Sequence, residues 1–416
     1  MNSVMLPSAP VVGDAAGYLG VEDDFPILAR QIDGQRIVYM DSAATTLKPR
    51  SVIRAVTGYY ERYTANIHRG KHRLSEEASD RYEESRHRVA TFLGCQGNEI
   101  VFVRNTTEAL NLVAKGLALE RGDCVVTGFD SHHSHLLPWR EFATVSTVRH
   151  GPDGSVDLDH YRSLLAVRPR VVALTHCSNV TGVYLPIAEM SAWAREAGAL
   201  VVVDAAQSLP HRRLNLRELP IDFLAFSGHK MLGPSGVGVL FGRAELLEGL
   251  RPANHGGGMV DWVTPESSSV RKIPHRLEAG TPAIEGAIGL AAAIEYLDDL
   301  GTEAIEGHDR ELAGILLREA GARPYLRVLG STLADRAAVV SLVVPGLDDL
   351  GDVARALSDS YGVMCRSGHL CAQPYVDANT AGEVLRLSAY LYNTPEDVLH
   401  AFGALDEVVA RLGGRV

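Results

Sequence analysis

Lys230 stands in Phe226-Ser227-Gly228-His229-Lys230-Met231-Leu232-Gly233-Pro234, an apolar run followed by a turn of small residues. A lysine in such a turn can be held against a bound aldehyde. Upstream, Val201-Val202-Val203-Asp204-Ala205-Ala206-Gln207 brings a β-branched run to a carboxylate. The run reads as a buried parallel strand, with Asp204 at its carboxyl end. An amine for a Schiff base and a carboxylate to keep a pyridine nitrogen protonated are what pyridoxal phosphate requires of a protein. Gln207, three residues on, can hydrogen-bond that cofactor's phenolic oxygen. Taken singly, a lysine after one strand and a helix-capping aspartate after another are ordinary. Together they point to a cofactor site.

Three further segments carry residues suited to the same chemistry. Arg104-Asn105-Thr106-Thr107-Glu108 follows one apolar run and opens a helical pattern. Hydroxyls and backbone N–H groups at a helix start form an anion site that fits a cofactor phosphate, although threonine there also serves as a plain N-cap. Ser131-His132-His133-Ser134-His135 follows Val125-Val126. A histidine at that strand end can stack on a pyridine ring and move protons, its ordinary pKa lying near neutrality. No neighbouring acidic residue or cysteine completes a metal site in this cluster. Cys371 lies in Arg366-Ser367-Gly368-His369-Leu370-Cys371-Ala372, a polar turn with a basic residue that favours a thiolate.

Elements that can position these residues alternate along the chain. Residues 1–20 are small and polar-leaning and are expected to be mobile. Ile37–Met40 reads as a short strand, with a helix opening at Lys48-Pro49 and another from Ser75 to Leu93. Strands are expected at Ile100–Val103, Cys124–Thr127, Val171–Leu174, Leu200–Val203, Leu224–Phe226 and Val237–Phe241. Between them the spacing predicts helices near Glu108–Leu117, Trp139–Phe142, Asp157–Leu165 and Ile187–Ala197. Such alternation means an α/β fold, a mainly parallel sheet with helices on both faces. A helix from Ala283 to Leu297 leads into a second unit. There Ala337–Val344 and Val363–Cys365 read as strands flanking a helix, Leu347–Ser358, and a last helix runs from Pro395 to Leu412.

Composition bounds the rest. The chain has 416 residues, 46% hydrophobic and 22% charged, which is ordinary for a globular protein of two or more domains. A net charge of −11 with no basic block argues against a nucleic-acid partner. The start lacks the pattern of a secretory signal, and no apolar run is long enough to span a bilayer, so a cytoplasmic protein without a membrane partner is expected. Five cysteines, Cys95, Cys124, Cys177, Cys365 and Cys371, form no CxxC pair, which suits a reducing compartment.

The pair Asp-x-Ala-Gln and Ser-Gly-His-Lys, in this order and spacing, resembles the fold-type I pyridoxal phosphate enzymes of the class V aminotransferase group. Within that group the chain is most similar to group II cysteine desulfurases and selenocysteine lyases. The likeness runs from Asp24-Phe25-Pro26-Ile27-Leu28 to Arg386 and beyond. It implies a large domain over 41–295 with a mainly parallel seven-stranded sheet. A smaller α/β C-terminal domain over 296–416 would be joined by the segment 21–40.

The resemblance also implies roles. Lys230, Asp204 and Gln207 hold the cofactor pyridoxal 5′-phosphate, and His132 stacks on it. Thr106, Thr107, Ser227 and His229 belong to the phosphate site, the family's threonine ligand matching Thr107. Thr281, in Glu278-Ala279-Gly280-Thr281-Pro282, reaches the phosphate of a neighbouring subunit, which implies a homodimer. Asn179 lies near the phenolic oxygen and the substrate, and Arg386 grips the substrate carboxylate. Arg366 and His68 fall around the substrate site and dimer contact. Cys371 takes sulfur from L-cysteine as a persulfide, leaving L-alanine, for transfer to an acceptor protein. The chain departs from the family in having Ser131 for an acidic residue, His135 for asparagine and Leu370 for a histidine. These departures leave a second reading: an enzyme of specialised metabolism acting on a cysteine S-conjugate or another amino acid, as a C–S lyase, decarboxylating deaminase or epimerase.

Overall fold

A computed structural model describes residues 19–413 apart from Pro152, Asp348 and Ala381. The expectation of a mobile start falls mainly on residues 1–18, which lie outside the described residues. Seven strands form the central sheet, in the spatial order Ile100–Val103, Gly238–Gly242, Phe223–Ser227, Leu200–Asp204, Val171–Thr175, Cys124–Gly128, Thr144–Val148. The last five in that order are parallel. Gly238–Gly242 is antiparallel to both its neighbours, so Ile100–Val103 points the same way as the parallel set. The Val-, Leu- and Phe-rich strands read as unbroken apolar runs because helices cover both faces; Val201, Val202 and Val203 are all fully buried. The carboxyl ends of six strands therefore open along one sheet edge, the usual place for a ligand.

Thr144–Val148 escaped the sequence reading. Its residues Thr-Val-Ser-Thr-Val form the sheet's outer, half-exposed strand, where no continuous apolar run is needed. The helix Thr302–Gly321 and the hairpin Val260–Val263 with Ser268–Val270 were likewise not anticipated. Helix starts also shift: the expected Leu347–Ser358 is Leu350–Tyr361, because Asp349 caps it by accepting from Gly351 and Asp352 N–H.

A second, antiparallel sheet has the order Arg327–Val328, Val339–Val343, Val384–Ser388, Arg366–Gly368. The helices Thr302–Gly321, Leu350–Tyr361 and Pro395–Arg411 pack on it through a separate apolar cluster that includes Val340, Leu385 and Phe402. The expected strand Val363–Cys365 ends at Met364 and pairs in parallel with Val38–Tyr39. From there the chain runs through Asp41, which bridges to Ser388, and on to Thr46, whose N–H donates to the His229 carbonyl at 3.0 Å. This segment thus ties the second sheet to the turn that bears Lys230. Among the described residues no helix is long and apolar enough to cross a membrane.

Candidate active site

A cavity of about 250 Å³ lies at the carboxyl edge of the large sheet, where the second sheet meets it. The walls bring together Thr106, Thr107, His132, Asn179, Asp204, Gln207, Ser227, His229, Lys230, Arg366, Cys371 and Arg386. These residues are scattered over some 280 positions of sequence (386 − 106), yet each sits on a strand or shortly after one.

Lys230 closes a short turn, Gly228–Lys230, after the strand Phe223–Ser227. The turn is held through the His229 carbonyl, which accepts from Thr46 N–H at 3.0 Å, Thr45 Oγ1 at 3.1 Å and Lys48 Nζ at 2.9 Å. Thr45, Thr46 and Lys48 were not singled out in the sequence; their one signal was a small polar run after the strand that precedes it. Burial lowers the pKa of Lys230, Asp204 opposes that shift, and Arg386 adds to it. A lysine amine that gives up its proton easily is the better nucleophile and base.

Asp204 ends its strand and is oriented by the Ala206 N–H, which donates to Oδ1 at 2.9 Å. Beside it, Gln207 Oε1 is buried with no partner among the described residues. A buried acceptor left open in a polar cavity costs about 1–3 kcal/mol, so it fits a ligand with a polar group at that place. The helix Thr106–Gly116 is capped by Asn105, whose side chain accepts from Glu108 N–H at 2.9 Å. Capping by threonine is thereby corrected: Asn105 does that work, and the threonine hydroxyls serve elsewhere. Thr106 Oγ1 meets Ser227 Oγ at 2.7 Å, and Thr107 Oγ1 meets Ser134 Oγ at 2.7 Å. Gly238 lets this helix start approach the sheet, since a Cβ there would lie 2.7 Å from Asn105 Cα. The Thr106 N–H also donates to Ser227 Oγ, at 2.9 Å, and a cluster of hydroxyls at the positive end of a helix suits a phosphate.

His132 also lines the cavity, but it does not titrate near neutrality. Burial and then the Lys230 charge push its pKa down to about 4, so the imidazole is neutral at ordinary pH. Its Nδ1 accepts from Ser134 N–H at 3.1 Å, which leaves Nε2 carrying the proton.

Arg386, in the middle of the strand Val384–Ser388, is buried. Its Nη1 donates to the Asn179 carbonyl at 3.0 Å and its Nη2 to Asp41 Oδ1 at 2.9 Å, while Nε has no partner among the described residues. Arg366 reaches the other oxygen of Asp41 at 3.2 Å. Asp41 therefore holds two guanidinium groups at one wall, a role the sequence did not reveal. The Asn179 amide donates to the Leu370 carbonyl at 2.8 Å rather than pointing freely into the cavity.

Cys371 is the exposed member of the five cysteines, all of them free. Cys177 shares the cavity wall but is buried, and burial pushes its thiol pKa well up. Cys371 and Leu370 both have left-handed backbone, φ 57° and 54°, costing about 1–2 kcal/mol each for residues other than glycine. Two hydrogen bonds hold the carbonyls of these two residues: Asn179 Nδ2 donates to Leu370 O, and His133 N–H to Cys371 O at 2.7 Å. At about 0.5–1.5 kcal/mol net apiece they roughly offset the strain. Burying Leu370 against Val180, Tyr375 and Val376 adds about 1.5–3 kcal/mol and settles the balance. The leucine that departs from the family pattern is thus an apolar anchor of the cysteine loop.

Two expected site residues are not brought to this cavity. Thr281 and His68 line a neighbouring cleft of about 260 Å³ with Gly257, Gly258, His275 and Glu278. There His68 Nε2 lies 3.0 Å from Glu83 Oε1, and the Arg86 guanidinium grips Glu278 at 2.7 and 3.0 Å and Glu83 at 2.9 Å. His68, Glu83 and His275 have ligand atoms close enough to share a metal ion. Burial opposes the charge of Arg86, but Glu278 outweighs it and keeps the guanidinium ionised, so the carboxylates there already have a cation.

The family model for class-V aminotransferases matches residues 38–400. A probable cysteine desulfurase of Synechocystis sp. is 42% identical over 389 residues, covering 91% of this chain and 92% of that one. A probable cysteine desulfurase of Halalkalibacterium halodurans is 40% identical, covering 90% and 93%. Among solved structures, the apo cysteine desulfurase from Thermococcus onnurineus NA1 superposes with a TM-score of 0.89 at 39% identity, covering 94% of this chain and 98% of that one. The cysteine desulfurase CsdA (S-sulfonic acid) from Escherichia coli gives 0.85 at 34% identity, with the same coverage.

Proposed function

Since the chain belongs to the class-V aminotransferase family, we propose that it is a cysteine desulfurase that uses pyridoxal 5′-phosphate and moves sulfur onto Cys371. The observation that carries this reading is the meeting of an exposed thiol, a half-buried lysine and a buried arginine in one cavity. When bound, pyridoxal 5′-phosphate supplies an electron-withdrawing ring that stabilises negative charge at the substrate α-carbon. Lys230 would hold its aldehyde carbon, Asp204 its ring nitrogen and Gln207 its phenolic oxygen. Thr106, Thr107, Ser227 and His229 would hold the phosphate.

The chain's own groups do the remaining work. Arg386 binds the α-carboxylate of L-cysteine through its unused N–H groups, with Arg366 beside it. Lys230, its pKa lowered, takes the α-proton. Neutral His132 carries a proton on Nε2 that it can deliver near the leaving sulfur. The Cys371 thiolate attacks the substrate sulfur, so an S–S bond forms as the substrate C–S bond breaks. Cys371 persulfide and L-alanine account for every atom, and no outside oxidant is consumed. An acceptor thiol on a partner protein then removes the outer sulfur.

A homodimer belongs to this reading. Support comes from Thr281, which leaves its own cavity unserved, and from the exposed Trp262 and Val263 on the hairpin nearby. We also place the domain boundary near residue 296 and the protein in the cytoplasm. The deciding experiment incubates the holoenzyme with L-cysteine and maps added sulfur by mass spectrometry. One sulfur atom, removable by a thiol reductant, is expected on the Cys371 peptide, and Cys371→Ser should lose desulfuration. If Cys371→Ser turns over a cysteine conjugate at the wild-type rate and no sulfur is gained, the C–S lyase or deaminase reading replaces this one.

A further inference from the structure

The loop bearing Cys371 leaves the strand Arg366–Gly368 and enters the helix Gln373–Asn379. Three hydrogen bonds tie it to the large-sheet loops. Asn179 supplies one. His133 supplies the other two: its N–H donates to the Cys371 carbonyl at 2.7 Å, and its Nε2 accepts from Gln373 N–H at 3.2 Å. Gln373 opens the helix, so its N–H has no acceptor within that helix; an imidazole from another part of the fold takes that place. A neutral ring with its proton on Nδ1 is required for this, and burial followed by the Arg140 charge lowers the His133 pKa in the needed direction.

The neighbours of His133 give this grip a further meaning. His132 lines the cavity, and Ser134 meets Thr107 at the helix start. Three consecutive residues thus face the cavity, the cysteine loop and the anion site. We propose that His133 is a positioning residue that latches the Cys371 loop at both its backbone and its following helix, setting the reach of the thiol into the cavity. The proposal rests on the reading of Cys371 as the sulfur acceptor. The latch ties a loop with an exposed nucleophile to the large-sheet side, through the residue next to the one that lines the cavity.

The backbone bond survives any substitution at 133 except proline, whereas the imidazole bond needs an acceptor at the distance of Nε2. Glutamine places Oε1 at about that reach; asparagine and alanine do not. His133→Ala and His133→Asn holoenzymes should therefore form Cys371 persulfide about ten- to a hundredfold more slowly, as expected for a reacting group misplaced by about an ångström. The KM for L-cysteine should stay within about twofold, and His133→Gln should recover most of the rate. Hydrogen exchange read on a peptide spanning residues 369–379 should speed up in the alanine and asparagine variants and return towards wild type with glutamine. Should alanine fail to fold, asparagine against glutamine carries the comparison. A folded alanine or asparagine variant with wild-type persulfide rate and unchanged exchange overturns the latch, as does a glutamine variant no better than asparagine. If wild-type protein gains no sulfur at Cys371 while exchange still responds as described, the sulfur reading fails and the latch remains as a structural clasp.

Discussion

Arg386→Lys keeps the charge but removes the fork, and the structure sets the size of the consequence. Of five guanidinium N–H groups, one is committed to the Asn179 carbonyl and one to Asp41. Three remain, the unpartnered Nε among them, enough for two parallel bonds to a carboxylate. A lysine ammonium has three N–H groups; meeting the same two partners leaves one. The variant therefore forfeits at least one charge-assisted bond, about 1.5–3 kcal/mol, or about 10- to 150-fold in kcat/KM for L-cysteine. Burial pulls the Arg386 pKa down and Asp41 opposes that shift; a guanidinium is not deprotonated in proteins, so the loss is one of geometry. The assay measures binding of L-cysteine and of cysteamine, which lacks the carboxylate, from the change each makes in the cofactor spectrum. Wild type should prefer L-cysteine, and Arg386→Lys should lose that preference by about the factor given while cysteamine binding hardly moves. Equal losses for both ligands would refute the reasoning and make Arg386 a support of the wall.

Lys230→Ala should abolish turnover and the visible absorbance of lysine-bound cofactor, and a variant retaining both would move the attachment elsewhere. Asp204→Asn should still bind cofactor, with absorbance and phosphate content near wild type, but lose most activity because a neutral amide cannot keep the ring nitrogen protonated; near-normal turnover would remove Asp204 from that role. Arg86→Met leaves Glu278 buried without its cation, a loss of about 3–5 kcal/mol, read as a lower urea midpoint that Arg86→Met/Glu278→Gln should partly restore. Acid should act on the same cluster. Burial raises the Glu83 pKa but His68 and Arg86 prevail and hold it at about 2, so its stabilisation is complete above its ordinary value and fades as pH falls from there towards 2. Acid unfolding of Arg86→Met should begin at higher pH than that of wild type, and coincident curves would show that Glu83 and Glu278 do not depend on Arg86.

Some residues could be read from the sequence because their chemistry is local. Asp204 ends an apolar run and Lys230 follows one by a short turn, so strand, carboxyl end and functional group lie close together in the chain. The strands Leu200–Asp204 and Phe223–Ser227 then pair side by side, and that pairing converts two local signals into one site. Asp41, Lys48 and His133 carry no such signal. Asp41 acquires meaning from bridging to Ser388 and meeting Arg386, 345 positions away. Lys48 acts on a carbonyl 181 positions away, and His133 on a backbone amide 240 positions away. A backbone partner has no side-chain identity to betray it in sequence, so such contacts are invisible until the fold is known. The same reasoning accounts for His132, whose ordinary pKa is a property of the residue while its value of about 4 is a property of burial beside Lys230. Leu370 makes the point from the other side. In sequence it is a missing histidine; in the fold it fills an apolar pocket with Tyr375 and Val376 and helps hold Cys371 in a backbone conformation that costs energy. What the cysteine loop lacks in polar side chains at 370 it gains in anchoring, and the polar contact that fixes its far end is delegated to His133.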